Sequence, residues 1–252
     1  MTRVLYIDDE SSLLTLTQLY LKEEAGLDVE IATTAEEGLN LLQKSSYDAI
    51  ISDYDMPDID GIQFLKLVRD YDLAIPFIIF TGKGREEVAI EALNNGADFY
   101  IQKGGEPRTI FTELANAVRH LVRRTQAERN VIQIEQHLTA FLNALPDIAY
   151  IKGPDLTYLL INTAYQKFLG LSSVQEAVGK TDKELLPSPF AALSGESDEE
   201  ILNRKVPYLI QNIFDGKTYQ IQKFPLSFPS GTTGIGGIIR EIVDDSTTTF
   251  SS

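Results

Sequence analysis

Along the first 124 residues, short apolar or β-branched runs alternate with stretches of helical periodicity. The runs are Val4–Ile7, Asp28–Ala32, Ala49–Ser52, Pro76–Phe80 and Asp98–Ile101. Between and after them lie Ser12–Glu24, Ala35–Gln43, Ile62–Asp70, Arg85–Asn95 and Thr109–Arg124. Runs this apolar read as strands buried on both faces, and strand-then-helix repetition predicts a doubly wound α/β layer with a five-stranded parallel sheet. Leu13, Leu16, Leu19 and Tyr20 are assigned to one helical stripe, and Leu65 and Val68 pair at a spacing of three. Gly26, Gly61 and Gly96 fall at element ends, where a positive φ is cheapest.

From Thr109 to about Leu145 there is neither Pro nor Gly. An approximate 3-4 pattern runs Ile110, Leu114, Ala117, Leu121 and then Val131, Leu138, Leu142, Leu145, through a polar middle of Arg123, Arg124, Glu128, Arg129 and Asn130. A solvated linker helix and a coiled coil both fit it. Beyond Pro146 the texture changes to short strands broken by Gly, Pro and Asp. Ile148–Ile151 and Tyr158–Ile161 form a hairpin about Gly153-Pro154-Asp155. Helical pieces follow at Thr163–Leu169, Val174–Val178 and Phe190–Arg204. Strands close the chain at Tyr208–Phe214, Tyr219–Phe228 and Gly234–Val243, with turns at Asp215-Gly216 and Ser230-Gly231. Two strands, several helices and three strands predict an α+β domain with an antiparallel sheet. Gly231, Gly234, Gly236 and Gly237 are assigned to a hairpin turn and a bulged strand. The expected limits are 1–124 for the first domain, 125–137 for a linker helix, 138–246 for the second domain and 247–252 for a disordered tail.

Composition narrows the chemistry. Among 252 residues, 37 acidic against 22 basic side chains give a formal charge of -15, the wrong sign for generic affinity to nucleic acid or anionic lipid. No cysteine is present, which removes disulfides, thiolate metal sites and a thiol nucleophile, and only His120 and His137 carry imidazole. No apolar run approaches the roughly 20 residues that span a bilayer. Carboxylates within the first ten residues argue against a signal peptide. A soluble, cytoplasmic protein without nucleic-acid or membrane partners is expected.

The candidate site comes from strand ends. Asp8 and Asp9 follow the first predicted strand and Asp53 follows the third. Ligands of open parallel sheets sit outside the carboxyl ends of the strands, so these three carboxylates should share one crevice. Two such charges 4 Å apart repel by about 4 kcal/mol at an effective dielectric of 20, a cost that either protonation or a cation relieves. Hard carboxylate oxygens suit Mg²⁺. Thr81 and Lys103 end the fourth and fifth strands, adding a hydroxyl and an ammonium. A carboxylate beside Mg²⁺ with those two groups makes a phosphoryl site.

Four pieces, VLYIDDE, SDYDMPDIDG, FTG and GADFYIQK, resemble the receiver domain of two-component response regulators, a flavodoxin-like fold. The resemblance implies Asp53 as phospho-acceptor, Asp8, Asp9, Asp53 and the carbonyl of Asp55 as Mg²⁺ ligands, and a cognate histidine kinase as donor. It further implies that Thr81 and Tyr100 are the switch pair and that Lys103 contacts the phosphoryl group. Gly82 stands where that family usually has Ala, and Gly104 replaces the usual Pro, which puts the lifetime of the phosphorylated state in question. The stretch LPDIAYIKGPDLTYLLINTAYQKFLGLS with VGKTDKELLP and IIREIVDDST resembles a PAS sensor domain. Such domains hold haem, flavin, a small metabolite or nothing. The lack of Cys excludes a thiol–flavin adduct, and the lack of His beyond residue 138 argues against His-ligated haem. A small organic ligand or a core packed shut remain, the second slightly favoured.

The expected function is a phosphorylation-dependent response regulator that signals through its PAS domain to a downstream protein, with a homodimer among its assemblies and no enzyme activity beyond its own phosphoryl turnover. Alternatives are a sensory fragment of a hybrid histidine kinase, or a PAS ligand sensor modulated by the receiver. An Asp-nucleophile hydrolase wants D-x-D on the first strand, where this chain has Asp8-Asp9-Glu10.

Overall fold

The computed structural model describes residues 1–71, 74–82, 86–214 and 216–242. The expected tail at 247–252, the end of the last strand at Val243, the loop residues Lys83 and Gly84 and the turn residue Asp215 lie outside the described residues. The chain divides into two compact units, Met1–Ile132 and Gln133–Ser252.

The first unit strings five strand–helix pairs: β1 (Arg3–Ile7), α1 (Ser11–Glu23), β2 (Asp28–Ala32), α2 (Ala35–Lys44), β3 (Ala49–Ser52), α3 (Gly61–Tyr71), β4 (Phe77–Thr81), α4 (Glu86–Asn94), β5 (Phe99–Gln102) and α5 (Pro107–Ala144). The sheet is parallel in the order β2-β1-β3-β4-β5. Alternation on β1 sends Val4 and Tyr6 into a core shared with Leu14 and Leu21 of α1 and Leu114 and Val118 of α5. Leu5 and Ile7 enter a second core with Leu42 of α2, Leu65 and Val68 of α3 and Ala92 of α4. Each fully buried Leu, Ile or Phe contributes roughly 1.5–3 kcal/mol, so the central strands hold the layer and fix where their ends point.

The stripe assigned to α1 is corrected. Leu14, Thr17 and Leu21 face the core, Leu13 and Tyr20 flank it, and Leu16 and Leu19 are exposed. A leucine-rich helix offers several overlapping stripes, and only the position of the sheet selects one. Gly26 and Gly96 adopt positive φ as expected, but Gly61 does not.

Helix α5 continues past Ile132, the last residue of the unit it starts in. Phe111, Leu114, Ala115, Val118, Leu121 and Val122 are buried, whereas Val131, Ile134, Leu138 and Phe141 are exposed. Arg119 donates to the carbonyl of Ala25 and Arg124 pairs with Glu128 one turn on, so these two arginines serve the fold and the helix surface.

The second unit contains β6 (Ile148–Lys152), β7 (Tyr158–Ile161), α6 (Thr163–Leu169), a 3-10 turn (Val174–Glu176), α7 (Asp182–Leu185), α8 (Ser188–Arg204), β8 (Tyr208–Phe214), β9 (Lys217–Ser227) and β10 (Thr233–Ile242). Its sheet is antiparallel, in the order β7-β6-β10-β9-β8. The turn GKTDKEL contains the short helix α7, which Thr181 and Glu184 open with a capping box. The strand expected to bulge at its glycines does not: β10 pairs with β9 in unbroken register from Thr233 to Ile242. Gly236 and Gly237 instead seat aromatic rings. A Cβ on Gly236 would fall 2.4 Å from Phe224, and one on Gly237 would fall 2.1 Å from Tyr150. The irregularity lies between β6 and β7, at Ile151/Lys152.

Candidate functional site

The order of the first sheet reverses between β1 and β3, and Asp8 and Asp53 leave those two strands side by side. The amide of Asp53 donates to Ile7 O (2.8 Å) and that of Asp8 to Ala32 O (3.2 Å), so the ladder continues up to the site. Both carboxylates are buried, and Asp9 beside them is exposed. One oxygen from each of Asp8, Asp9 and Asp53 lies within 4.8 Å of the others. Thr81 is buried at the end of β4, Tyr100 is half-buried on β5, and Asp55 is exposed in the loop after β3. Lys103 directly follows β5, and its amide donates to Thr81 O (2.7 Å). Thus Asp8, Asp9, Asp53 and Lys103 meet.

Asp8 is fully engaged. Its Oδ2 accepts from Tyr6 OH (2.5 Å) and Lys103 Nζ (2.6 Å), and its Oδ1 accepts from the amide of Glu10 (3.0 Å). Burial, with the Asp8 charge next, pushes the Tyr6 phenol far above its ordinary range, so it stays a donor. Asp53 differs. Lys103 Nζ is 3.1 Å from its Oδ1, yet that buried oxygen accepts no hydrogen bond. A buried carboxylate oxygen that accepts no hydrogen bond, with an ammonium 3.1 Å away and two further carboxylates beside it, leaves acceptor capacity for a cation or an electrophile.

Two residues build this geometry, one unnoticed in the sequence and one assigned there to a different role. Tyr6 anchors Asp8, and strand alternation hid it as one more core position. Gly61 opens α3, where its amide donates to Tyr54 O (2.9 Å); a Cβ there would stand 2.2 Å from Asp53 O. Glycine is required by this close approach and not by φ, because the loop after Asp53 folds back onto the helix start. Asp60 caps that helix, accepting from Ile62 and Gln63.

A second polar cluster lies in Gln133–Ser252. Lys152 Nζ donates to Asp182 (2.5 Å) and Asp198 (2.6 Å), Lys223 Nζ to Asp198 (2.5 Å) and Ser197 Oγ (2.9 Å), and Tyr158 OH to Asp182 (2.6 Å). All five ionic and phenolic side chains are buried. The signal was available: Ile148, Tyr150 and Lys152 alternate onto one strand face, so Lys152 must point inward with them. Beside the cluster is a cavity of about 270 Å³. The expectation of a core packed shut is therefore corrected. Large rings held at fixed hydroxyl positions, as Tyr158 and Tyr165 hold each other (2.7 Å), cannot collapse to fill it.

Comparison with known proteins agrees with both halves. The family model for the response regulator receiver domain matches residues 4–115, and that for the PAS fold matches residues 142–246. The chain is a response-regulator receiver domain followed by a PAS fold. It is similar to the response regulator SaeR of Staphylococcus epidermidis, 38% identical over 136 residues, 54% of this chain and 57% of that protein. The transcriptional regulatory protein SrrA of Staphylococcus aureus is 34% identical over 134 residues, 53% of each chain. The chain thus spans little more than half the length of these relatives. Among solved structures, the receiver domain of Francisella response regulator 1452 is 33% identical, covering 50% of this chain and 99% of its own, with a TM-score of 0.45. Among the described residues, no helix is long and apolar enough to cross a membrane.

Proposed function

We propose that this protein is a phosphorylation-dependent response regulator of a two-component phosphorelay, with Asp53 as the acceptor. The orphaned Oδ1 of Asp53, buried beside Lys103 and two carboxylates, carries the reading. In the proposed step a carboxylate oxygen of Asp53 attacks phosphorus in a phosphohistidine of the donor kinase. The P–N bond breaks, its electron pair stays on the imidazole, and an acyl phosphate forms on Asp53. Lys103 and the Thr81 hydroxyl hold phosphoryl oxygens, and Thr81 and Tyr100 form the switch.

The donor set fits Mg²⁺, being hard carboxylate oxygens close enough to share one small cation, one of them accepting no hydrogen bond. Asp8, Asp9 and Asp53 would hold the ion with the carbonyl of Asp55. When bound, Mg²⁺ supplies neutralisation of the phosphoryl charge. Tyr6 and Lys103 keep Asp8 oriented, and the buried setting excludes water from Asp53.

The acquired charge and its acceptor oxygens would bias the β4–β5 loops. Helix α5 then leads from the receiver, residues 1–124, through a linker at 125–137 to the PAS domain at 138–246, which signals by protein–protein contact. The exposed 3-4 stripe Val131, Ile134, Leu138 and Phe141 supports a homodimer among its assemblies. Exchange with an ATP-driven kinase assigns this chemistry to the cytoplasm.

The test is intact-mass detection of one added phosphoryl group after incubation with a small acyl phosphate, with and without Mg²⁺, followed by light scattering on a sizing column. Wild type should gain the group only with Mg²⁺, and Asp53→Asn should not. Failure of wild type to gain it, or equal gain by the variant, overturns the assignment.

A further inference from the structure

The floor of the PAS cavity is fixed by strand register. Ile148 pairs with Ile239, Ile239 with Ile221 and Ile221 with Ile210, a rung of isoleucines across four strands that lines the cavity. The rung two residues along is polar: Tyr150, Gly237, Lys223 and Tyr208. Gly237 leaves a trough in that rung and the Tyr150 phenol lies across it, its hydroxyl 2.4 Å from where a Cβ would sit. Rings of Tyr158, Tyr165 and Phe168 close the opposite side. The space equals about nine waters at ~30 Å³ each, enough for one single-ring molecule.

Three features choose the occupant. The walls are aliphatic and aromatic, which favours a flat apolar body. Tyr150 is 4% exposed and lines the cavity, yet its hydroxyl has no hydrogen-bond partner among the described residues, and burial keeps it protonated. A free donor on the cavity wall favours a ligand with an acceptor at that point. Finally, the charges beside the cavity are already balanced. Lys152 and Lys223 are matched by Asp182 and Asp198 at 2.5–2.6 Å, and Glu200, which also lines the cavity, pairs with Arg204 at 3.0 Å, so a charged ligand would bring an uncompensated charge into the site. A cation would also meet Lys223, which lines the cavity.

We propose that the PAS cavity binds an uncharged, single-ring aromatic molecule with a carbonyl or hydroxyl acceptor, recognised by the Tyr150 hydroxyl over the isoleucine floor. This does not depend on the Asp53 chemistry, and the two assays fail separately.

The test titrates the full chain with three probes of one size, benzamide, benzoate and benzylamine, by calorimetry and saturation-transfer NMR. Benzamide should bind at least about tenfold tighter than either charged probe. Tyr150→Phe, which removes only the hydroxyl, should weaken benzamide by about tenfold, near the upper worth of one neutral hydrogen bond. Ile210→Phe, which fills the floor from an edge strand, should abolish binding. Circular dichroism confirms that each variant is folded. Absence of benzamide binding at millimolar concentration, equal affinity for the three probes, or affinity unchanged in both variants overturns the proposal.

Discussion

Replacing Lys152 by Met tests the buried charge cluster most directly. Lys152 is 0% exposed and its ammonium serves two carboxylates, Asp182 at 2.5 Å and Asp198 at 2.6 Å. Methionine matches its length and removes only the charge. Asp198 keeps Lys223, but Asp182 loses the ammonium bonded directly to it and keeps the Tyr158 hydroxyl, with Lys223 acting on it from farther away. Breaking one side of a buried pair typically costs about 3–5 kcal/mol, because the surviving charge stays desolvated. At about 4 °C per kcal/mol for a unit of this size, its melting point should fall by about 12–20 °C. With its direct ion pair gone, Asp182 would then take up a proton more readily folded than unfolded. The native state therefore binds more protons, and the deficit must shrink as pH falls from neutrality toward 5. Lys152→Met combined with Asp182→Asn should recover most of the loss. Urea unfolding followed by circular dichroism and tyrosine fluorescence measures all three proteins, the receiver transition serving as internal reference. A deficit under about 1 kcal/mol, or a double variant no more stable than the single, refutes the account of the cluster as a mutually dependent charge network.

Gly61→Ala should destabilise the receiver by about 3 kcal/mol or more, because its Cβ meets backbone on Asp53 and Tyr54 that has no side-chain freedom to yield. Gly82→Ala, with nothing within 4 Å of the added carbon, should stay within about 0.5 kcal/mol in the same urea assay. Tyr6→Phe should cost about 1.5–3 kcal/mol at neutral pH by removing a buried hydrogen bond to the Asp8 carboxylate, again by urea unfolding. Three exposed carboxyls are held below their ordinary range: Glu106 by the Thr109 hydroxyl, Asp155 by the Thr157 hydroxyl and Glu184 first by the Thr181 amide. Their contribution is complete above the unfolded-state pKa and is lost as pH falls through the lowered folded-state value. Carboxyl NMR titration should find all three midpoints below those of the unfolded chain, and Thr157→Val should return that of Asp155 toward it.

The sequence by itself determined the receiver's α/β layering and the strand ends at which the candidate site residues stand. The central strands β1, β3 and β4 are buried along their length and almost wholly apolar, so polar residues mark their ends, and Asp8, Asp53 and Thr81 stand at those marks, with Lys103 following the partly exposed β5. Period alone also gave the strands and main helices of the second unit, missing only the four-residue α7, too short to show a period. What the tertiary structure decided depends on neighbours distant in sequence. The face of α1 that is buried depends on where the sheet lies, so Leu14 and Leu21 are chosen over Leu16 and Leu19. The need for glycine at 61 and 237 comes from Asp53 and Tyr150 crossing overhead, not from any local conformation. The pairing of Lys152 with Asp182 and Asp198 joins residues 30 and 46 positions apart. No periodicity encodes such a contact: each residue alone is an ordinary polar position, and only burial in one dry space makes their charges interdependent.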